Sequence, residues 1–401
     1  MGLERVAQVF RRLDLRLDCP VITVGGTNGK GSTCAMLESI LHAAGVRTAL
    51  YTSPHLLRYN ERVRIGAREV ADADLCEAFA AVERARDGVT LTYFEYGTLA
   101  AGWLFAREAP GAVILEVGLG GRLDAVNAFD PDVAVLTGIG IDHVEYLGGT
   151  REDIGREKAA IMRTGRPAIV ADPDPPRSVL EHARRAGVEL LLIGRDFGYD
   201  QLPGQWTYWG PGGRRGGLAH PALRGTIQLR NASASIAALD TLRERLPVGA
   251  QDVRRGLADV SLPGRFQVLP GRPQLILDVA HNPQAAAVLA GNLAASGFAS
   301  DTHAVFGMLR DKDISGVVRE IAPRITRWHL ASLGGPRGAS AAELAAILAR
   351  EGVRTPIGQH ASVASAYAAA KEAAHENDKI LVFGSFLTVA EVMATLQTRN
   401  D

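Results

Sequence analysis

VITVGGTNGKGSTCAML, residues 21–37, is the stretch on which the fold turns. PVITVGG reads as a short buried strand, and KGSTCAMLESILHAAG has helical spacing that stops at Gly45. A glycine-rich turn joins them. Strand, turn and helix in this order supply what a polyphosphate needs. Backbone N–H groups and the positive end of the helix dipole face the anion, and Lys30 adds a full charge. The standard phosphate-loop spacing is nevertheless broken. Gly25 and Gly29 are separated by three residues where the pattern asks for four, and the hydroxyl follows Lys30 one place late, at Ser32. Gly25, Gly26, Gly29 and Gly31 still let the main chain approach a ligand, and Ser32, in the first helical turn, can ligate Mg²⁺. The bland alternative is a glycine-rich turn with an exposed lysine. It leaves the coincidence of strand, turn, lysine, hydroxyl and helix unexplained.

Outside this stretch, strand and helix alternate. RTALYT, GAVILEVG, DVAVLTGIG, RPAIVA and VELLLIG read as strands, GAVILEVG being apolar enough for both faces of a parallel sheet. FEYGTLAAGWLFARE and TREDIGREKAAIMRTG read as helices, the second opened by Thr150 with Asp153 three residues on. Residues 195–225, rich in Gly, Trp and Arg, are expected to be solvent-exposed loops or short strands. NASASIAALDTLRERL resumes helix, and so does 251–260. SLPGRFQVLPGRP, 261–273, has the Pro/Gly density of a linker, after which QLILDVA, THAVFGM, ITRWHLASL and DKILVFGSF restart the pattern. The expected architecture is α/β. A P-loop-type, mostly parallel sheet forms a domain over 1–265, 266–273 is the linker, and a smaller Rossmann-like domain covers 274–401.

Bulk properties narrow the function. A chain of 401 residues is long for one core and suits two domains. A formal net charge of zero argues against a nucleic-acid footprint. No apolar run approaches the roughly 18 residues of a membrane span, and the N-terminus MGLERVAQVFRRLDLRL is charged throughout. Cys19, Cys34 and Cys76 lack metal or redox spacing and suit a reducing cytoplasm. Asn231-Ala232-Ser233 fits a glycosylation sequon, which has no use without secretion. The N-K-x-D motif of a GTPase is missing. A dinucleotide site in VGLGG fails because Gly118, Gly120 and Leu123 break G-x-G-x-x-G, and GRLDAVNAFDPD leaves no room for the required helix.

The acidic and imidazole residues fall at strand ends. Glu116 closes AVILEV, His143 follows the next strand, and Ser53 and His55 follow a third. Strand ends converging on one crevice make the binding geometry of open α/β sheets. Glu116 and His143 are read as Mg²⁺ ligands. For His143 a loop-capping role stays open, and for His55 the two readings are even.

These motifs together resemble the Mur ligase superfamily, and within it the dihydrofolate synthase/folylpolyglutamate synthases. The loop is that superfamily's own variant, G-T-N-G-K-G-S/T. YTSPHLLRYNERVRI, LTYFEYGTLAAGWLF, VILEVGLGGRLDAVN, TGIGIDHVEYLG, IGREKAAIM, RNASASIAAL, LPGRFQ, LILDVAHNP, FGMLRDKDI and LVFGSFLTV follow in family order along nearly the whole chain. The resemblance implies that ATP phosphorylates a carboxylate, that the amine of L-glutamate attacks the acyl phosphate, and that phosphate leaves. It implies a Mg²⁺ held by Ser53, Glu116 and His143, with Ser32 on the nucleotide side. It also implies a second ion supported by Lys158, the position matching the superfamily's carbamylated lysine, and it leaves a monovalent cation open. Gly29, Lys30, Gly31, Ser32, Asn231 (near the adenine), Arg265 and Asp278 would bind ATP across a domain cleft, with Lys30, Lys158 and His281 catalytic. Lys312 and Ser385 are candidates for glutamate, each also readable as a surface charge or a cap.

Dihydropteroate and reduced folates are the implied acceptors, at Thr92, Tyr93, Phe94 and Glu95 with Leu123, Asp124 and Ala125. Tyr93 and Phe94 offer flat surfaces for a pterin, and Asp124 or Glu95 could accept its N–H groups. The plain alternative makes Phe94 core and Glu95 a helix-start charge. Relatives carry a helix and loop ahead of GLERV, so either a mis-set start or a more open pterin site is expected here. Both activities, a cytoplasmic location and a monomer are expected. Polyglutamylation alone, another Mur-type amino-acid ligase, or a non-catalytic nucleotide-binding protein are the competing classes.

Overall fold

In the computed structural model, which describes residues 2–225 and 227–397, the opening stretch folds as a strand, a turn and a helix. Strand β1, Val21–Gly25, is buried along its whole length, and the helix Lys30–Ala43 follows it. The chain divides into two compact units, Met1–Ala222 with Ile227–Ser261, and Leu223–Thr226 with Leu262–Asp401.

The first unit is built on eight strands. They are β1, β2 (Thr48–Tyr51), β3 (Val63–Ile65), β4 (Arg68–Glu69), β5 (Ala112–Glu116), β6 (Val133–Leu136), β7 (Pro167–Val170) and β8 (Glu189–Leu192), in the order β4-β3-β2-β5-β1-β6-β7-β8. The six from β2 to β8 run parallel, while β3 and β4 add an antiparallel edge. β1, β2, β5 and β6 are buried at every residue. That is why their sequences read as continuous apolar runs rather than as alternation. The chain leaves β1 to one side, through β2 and β5, then passes to the other through β6. The carboxyl ends of β2, β5, β1 and β6 therefore lie side by side at a switch point.

The helix that begins at Lys30 is fixed at its far side by another helix, Ala250–Asp259. Ser39 Oγ donates to the Gly256 carbonyl at 2.7 Å, and a Cβ at Gly256 would stand 2.6 Å from Ile40 N. Gly256→Val is therefore expected to force these helices apart and lower stability by about 1–3 kcal/mol. A urea midpoint that does not move would show that the contact tolerates bulk.

Residues expected to be irregular form an antiparallel sheet of β9 (Gly198–Leu202), β10 (Gln205–Gly210) and β11 (Gly213–Leu218). They are not all solvent-exposed: Trp206 and Tyr208 are fully buried. Their alternation along β10 was masked by the surrounding Gly and Arg. Tyr208 Oη donates to Asp240, which also takes an ion pair from Arg215 at 2.6 Å.

The second unit carries β12 (Gln267–Leu269), β13 (Gln274–Leu277), β14 (Thr302–Phe306), β15 (Arg327–Ala331), β16 (Ile357–His360) and β17 (Lys379–Phe383). The order is β12-β13-β17-β14-β15-β16, all parallel except β12. The stretch read as a linker, 266–273, is thus no free linker. Three of its residues pair antiparallel with β13 as an edge strand, where flanking Pro and Gly are tolerated. Arg265, assigned to the first domain from sequence, falls in the second unit.

Candidate active site

The loop after β1 is shaped by residues behind it. Gly26 has φ +144 and a side chain there would collide with Thr137. Gly29 has φ +95, and a Cβ there would stand 2.8 Å from Asn231 Oδ1. Both conformations suit glycine. Thr137, just past β6, donates through Oγ1 to the Asn28 carbonyl at 2.8 Å. The Thr27 amide donates to the Gly138 carbonyl, and Gly140 N–H donates to Thr27 Oγ1. The loop is therefore stitched to the exit of β6 before it meets any ligand.

Lys30 does not point freely into water. Its ammonium donates to the carbonyls of Gly26 at 3.0 Å and Thr27 at 3.2 Å. Lys158 donates to the same Gly26 carbonyl at 2.9 Å, from the helix Arg151–Ala159. The sequence alone reads Lys158 as an exposed helix charge, yet it is buried. Burial, and then the charge of Lys30, bring it down to about 7, against the opposing pull of Asp142 and Asp124. The neutral amine is thereby favoured near neutral pH far more than for an exposed lysine.

Ser32 is buried and within 3.4 Å of Gln228 Nε2, which donates to it. Asn231 is also buried, donates to Gln228 Oε1 at 2.9 Å, and stands against Gly29. Sequence placed Asn231 near the adenine; within this unit its contact is with the phosphate loop.

Glu116 is 4% exposed at the carboxyl end of β5. Thr52 Oγ1 and the Ser53 amide donate to its Oε2; the sequence reading named Ser53, as a metal ligand, and did not name Thr52. Among the described residues no basic side chain pairs with Glu116. A buried carboxylate without a cation is costly, so the residues fit a divalent metal. His143, at the carboxyl edge beyond β6, has φ 53 and opens the short helix Val144–Leu147. Its ring Nε2 lies 3.9 Å from Asp142 Oδ2. His55 takes a different role from ligation at Nδ1, which accepts from Arg62 Nε at 2.7 Å.

The acceptor-side residues divide. Thr92 and Glu95 form a capping box at the start of the helix Tyr93–Glu108, and Glu95 also accepts from Arg5 at 3.0 Å. Asp124 is buried with both oxygens accepting backbone N–H groups, from Leu119 at 2.8 Å and Val126 at 3.0 Å. Burial raises it to about 6, against those bonds. Both carboxylates expected to meet pterin N–H groups thus already hold local structure, because short acidic side chains at turn and helix starts satisfy the main chain first. Tyr93 is 64% exposed, with the Arg62 guanidinium 5.3 Å from its ring centre. Phe94 packs at the core's edge, 5.8 Å from the Tyr51 ring and directly beside Gly118. Leu123 is half-buried and Ala125 buried.

In the second unit, Asp278 follows β13 and accepts from the amides of Phe266 and Ala280, each at 2.8 Å. Burial pushes its carboxyl up, while those bonds and Arg265 oppose. Arg265 and His281 meet at Phe386, the guanidinium 5.2 Å and the imidazole centre 6.2 Å from that ring. His281 holds Nδ1 on the Val279 carbonyl at 2.9 Å. Three residues separated in sequence are thereby brought together. Ser385 accepts from Leu387 and Thr388 N–H at the start of the last helix, which makes it a cap. Lys312 lies in a turn before the helix Ile314–Ile321, half-buried.

Known proteins resemble this chain along its whole length. The Mur ligase middle domain matches residues 24–239, and the Mur ligase glutamate ligase domain matches 264–386. The dihydrofolate synthase/folylpolyglutamate synthase of Escherichia coli is 44% identical, over 100% of this chain and 92% of its own length. That of Haemophilus influenzae is 40% identical, over 99% and 94%. Among solved structures, E. coli FolC with DHPP and ADP superposes with a TM-score of 0.95, covering 100% of this chain and 94% of that one at 44% identity. A bifunctional folylpolyglutamate synthase/dihydrofolate synthase with Mn, AMPPNP and L-glutamate bound gives 0.92 over 99% and 94%, at 45% identity.

Proposed function

The chain belongs to the Mur ligase family, among the dihydrofolate synthase/folylpolyglutamate synthases, and from that premise we propose that it is an ATP-dependent carboxylate–amine ligase. It joins L-glutamate to dihydropteroate, forming dihydrofolate, and to reduced folates, extending their glutamate chain. The observation that carries this reading is the pair Lys30 and Lys158 on one loop carbonyl, at the sheet edge that also carries the buried carboxylate of Glu116.

A carboxylate is a poor electrophile. Transfer of the ATP γ-phosphoryl group to its oxygen gives an acyl phosphate and ADP. The glutamate amine then attacks the acyl carbon, loses a proton, and phosphate leaves. The carboxylate and the γ-phosphate are both anionic, so positive charge must lie between them. Lys30, held at the helix start with the loop amides, supplies it in place. Mg²⁺ supplies charge neutralisation of the phosphates when bound, and the proposal gives it Ser53, Glu116 and His143, with Ser32 towards the nucleotide. A second ion is proposed beside Lys158 as a carbamate. Carbamylation needs a neutral amine, and the burial of Lys158 beside Lys30 favours that form. Gly29, Gly31 and Asn231 shape the phosphate side. Arg265, Asp278 and His281 are proposed for nucleotide and catalysis, and Lys312 for glutamate. Ser385, whose hydroxyl caps the last helix and keeps its own proton to donate, is a further glutamate candidate. Thr92, Tyr93, Phe94, Glu95, Leu123, Asp124 and Ala125 make the proposed pterin surface.

No helix among the described residues is long and apolar enough to cross a membrane. A cytoplasmic monomer without a nucleic-acid partner, with activity enhanced by a monovalent cation, completes the proposal.

Glutamate incorporation measured separately with dihydropteroate and with a reduced folate tests the function. Product from both is expected. Product from the folate alone would restrict the enzyme to polyglutamylation. The metal site is tested separately: Glu116→Gln should raise the Mg²⁺ needed for half-maximal rate by at least tenfold, and an unchanged metal titration would remove Glu116 from that site.

A further inference from the structure

The second unit holds another group of ligating side chains, away from Asp278 and His281. Asp301 immediately precedes β14, Asp378 immediately precedes β17, and His303 is the second residue of β14. The strands are parallel, so these residues lie at the amino-terminal edge of the sheet, opposite the edge that carries Asp278. One atom from each lies within 4.8 Å of the others. His303 is fully buried, and its Nε2 has no hydrogen-bond partner, although Asp378 Oδ2 is 3.5 Å away. That contact is longer than a good hydrogen bond, and an ion seated between Nε2 and Oδ2 would satisfy both.

We propose that Asp301, His303 and Asp378 bind one divalent transition-metal ion of the zinc type.

The donor chemistry favours that class. One imidazole nitrogen with two carboxylates suits zinc or cobalt, whereas magnesium prefers an all-oxygen octahedron. The 3.5 Å from Nε2 to Oδ2 is close to the edge of a tetrahedron with bonds near 2.0–2.1 Å, roughly 3.3 Å. Asp378 is fixed for the task. Its Oδ1 accepts the Asp301 amide at 3.0 Å and its Oδ2 the His375 amide at 2.7 Å. Each carboxylate oxygen keeps a second lone pair for a metal. Asp301 is the partly exposed member, with Arg327 Nε 3.8 Å away, and forms the side by which an ion enters.

The other nitrogen of His303 is also provided for. Nδ1 lies 3.3 Å from His329 Nε2, and the two rings stack with centres 5.5 Å apart. His329 in turn stacks on His360 at 5.7 Å. With Nε2 on a metal, Nδ1–H donates to His329, the arrangement that fixes ring orientation in metal sites. Three stacked imidazoles along one face of β14, β15 and β16 hold His303 rigidly, which the packing of an ordinary core would achieve with apolar residues.

The test uses the full chain, stripped by a chelator and returned to excess Mg²⁺, with Zn²⁺ alone as the probe. Equilibrium dialysis should find one Zn²⁺ retained that His303→Leu loses. Thermal unfolding should shift up by roughly 3 °C at a hundredfold excess over Kd. His303→Leu keeps the volume, stays folded, and loses both the ion and the shift. Asp301→Asn, at the exposed position, weakens binding at least tenfold and serves if the first variant is unstable. Ligase activity should be unchanged in both. Failure to retain Zn²⁺, or equal retention and equal shift in both variants, would overturn the site.

Discussion

Lys30→Ala is expected to lower kcat by about a thousandfold with the fold intact. The ammonium meets the main chain only at two loop carbonyls, so its loss removes two hydrogen bonds worth about 1 kcal/mol each. What disappears with it is the fixed positive charge at the site of phosphoryl transfer. The substitution reaches further, because Lys30 is one of the two main causes that hold Lys158 down. With Lys30 gone, Lys158 should return towards its ordinary range and become a worse acceptor for CO₂. Steady-state phosphate release, with a thermal midpoint as the folding control, checks this. Turnover within about threefold of the parent would remove Lys30 from phosphoryl transfer.

The second large effect is expected at Lys158. Lys158→Ala should be inactive to within about a thousandth of the parent rate, and partly rescued by acetate, which restores a carboxylate where the carbamate stood. The pH dependence gives an independent reading. A folded-state value of about 7 means the neutral amine rises from about a tenth at pH 6 to about nine-tenths at pH 8. At one fixed concentration of dissolved CO₂, enzyme depleted of CO₂ should therefore regain activity faster at pH 8 than at pH 6. Equal recovery at both, or full activity without CO₂, would remove the carbamate from the mechanism. The burial of Lys158 also costs stability: the folded value lies below the unfolded one, so the charged form is disfavoured by folding, and stability falls as pH drops through 10 towards 7.

How far the sequence reached depends on the range of the contact. β1, the loop and the helix from Lys30 are contiguous, so glycines, lysine and helical period declare them together. Glu116 was legible because a carboxylate closing an apolar strand has nowhere to be but the sheet edge. Thr52 and Thr137 were not, since each acts on a segment more than sixty residues away, and nothing local marks it. Lys158 misled for the same reason: its helix is rich in charge, and only the tertiary fold brings it under Gly26. Asp124 and Glu95 show a second limit: their hold on nearby backbone N–H groups is added to whatever they do at a site, and the sequence alone does not display it. In the second unit, Gln267–Leu269 was hidden by flanking prolines and glycines, and Ile357–His360 by having no apolar run.

Asn231 carries a practical consequence for anyone producing this protein. It sits within the sequon Asn231-Ala232-Ser233, 1% exposed, with its amide against Gly29 and Gln228. In a host that exports the chain, sugar transfer would meet Asn231 while the polypeptide is still unfolded, and the folded unit has no space to enclose a glycan there. A secreted batch should therefore contain a modified fraction that fails to bind nucleotide, and expression inside the cell avoids it.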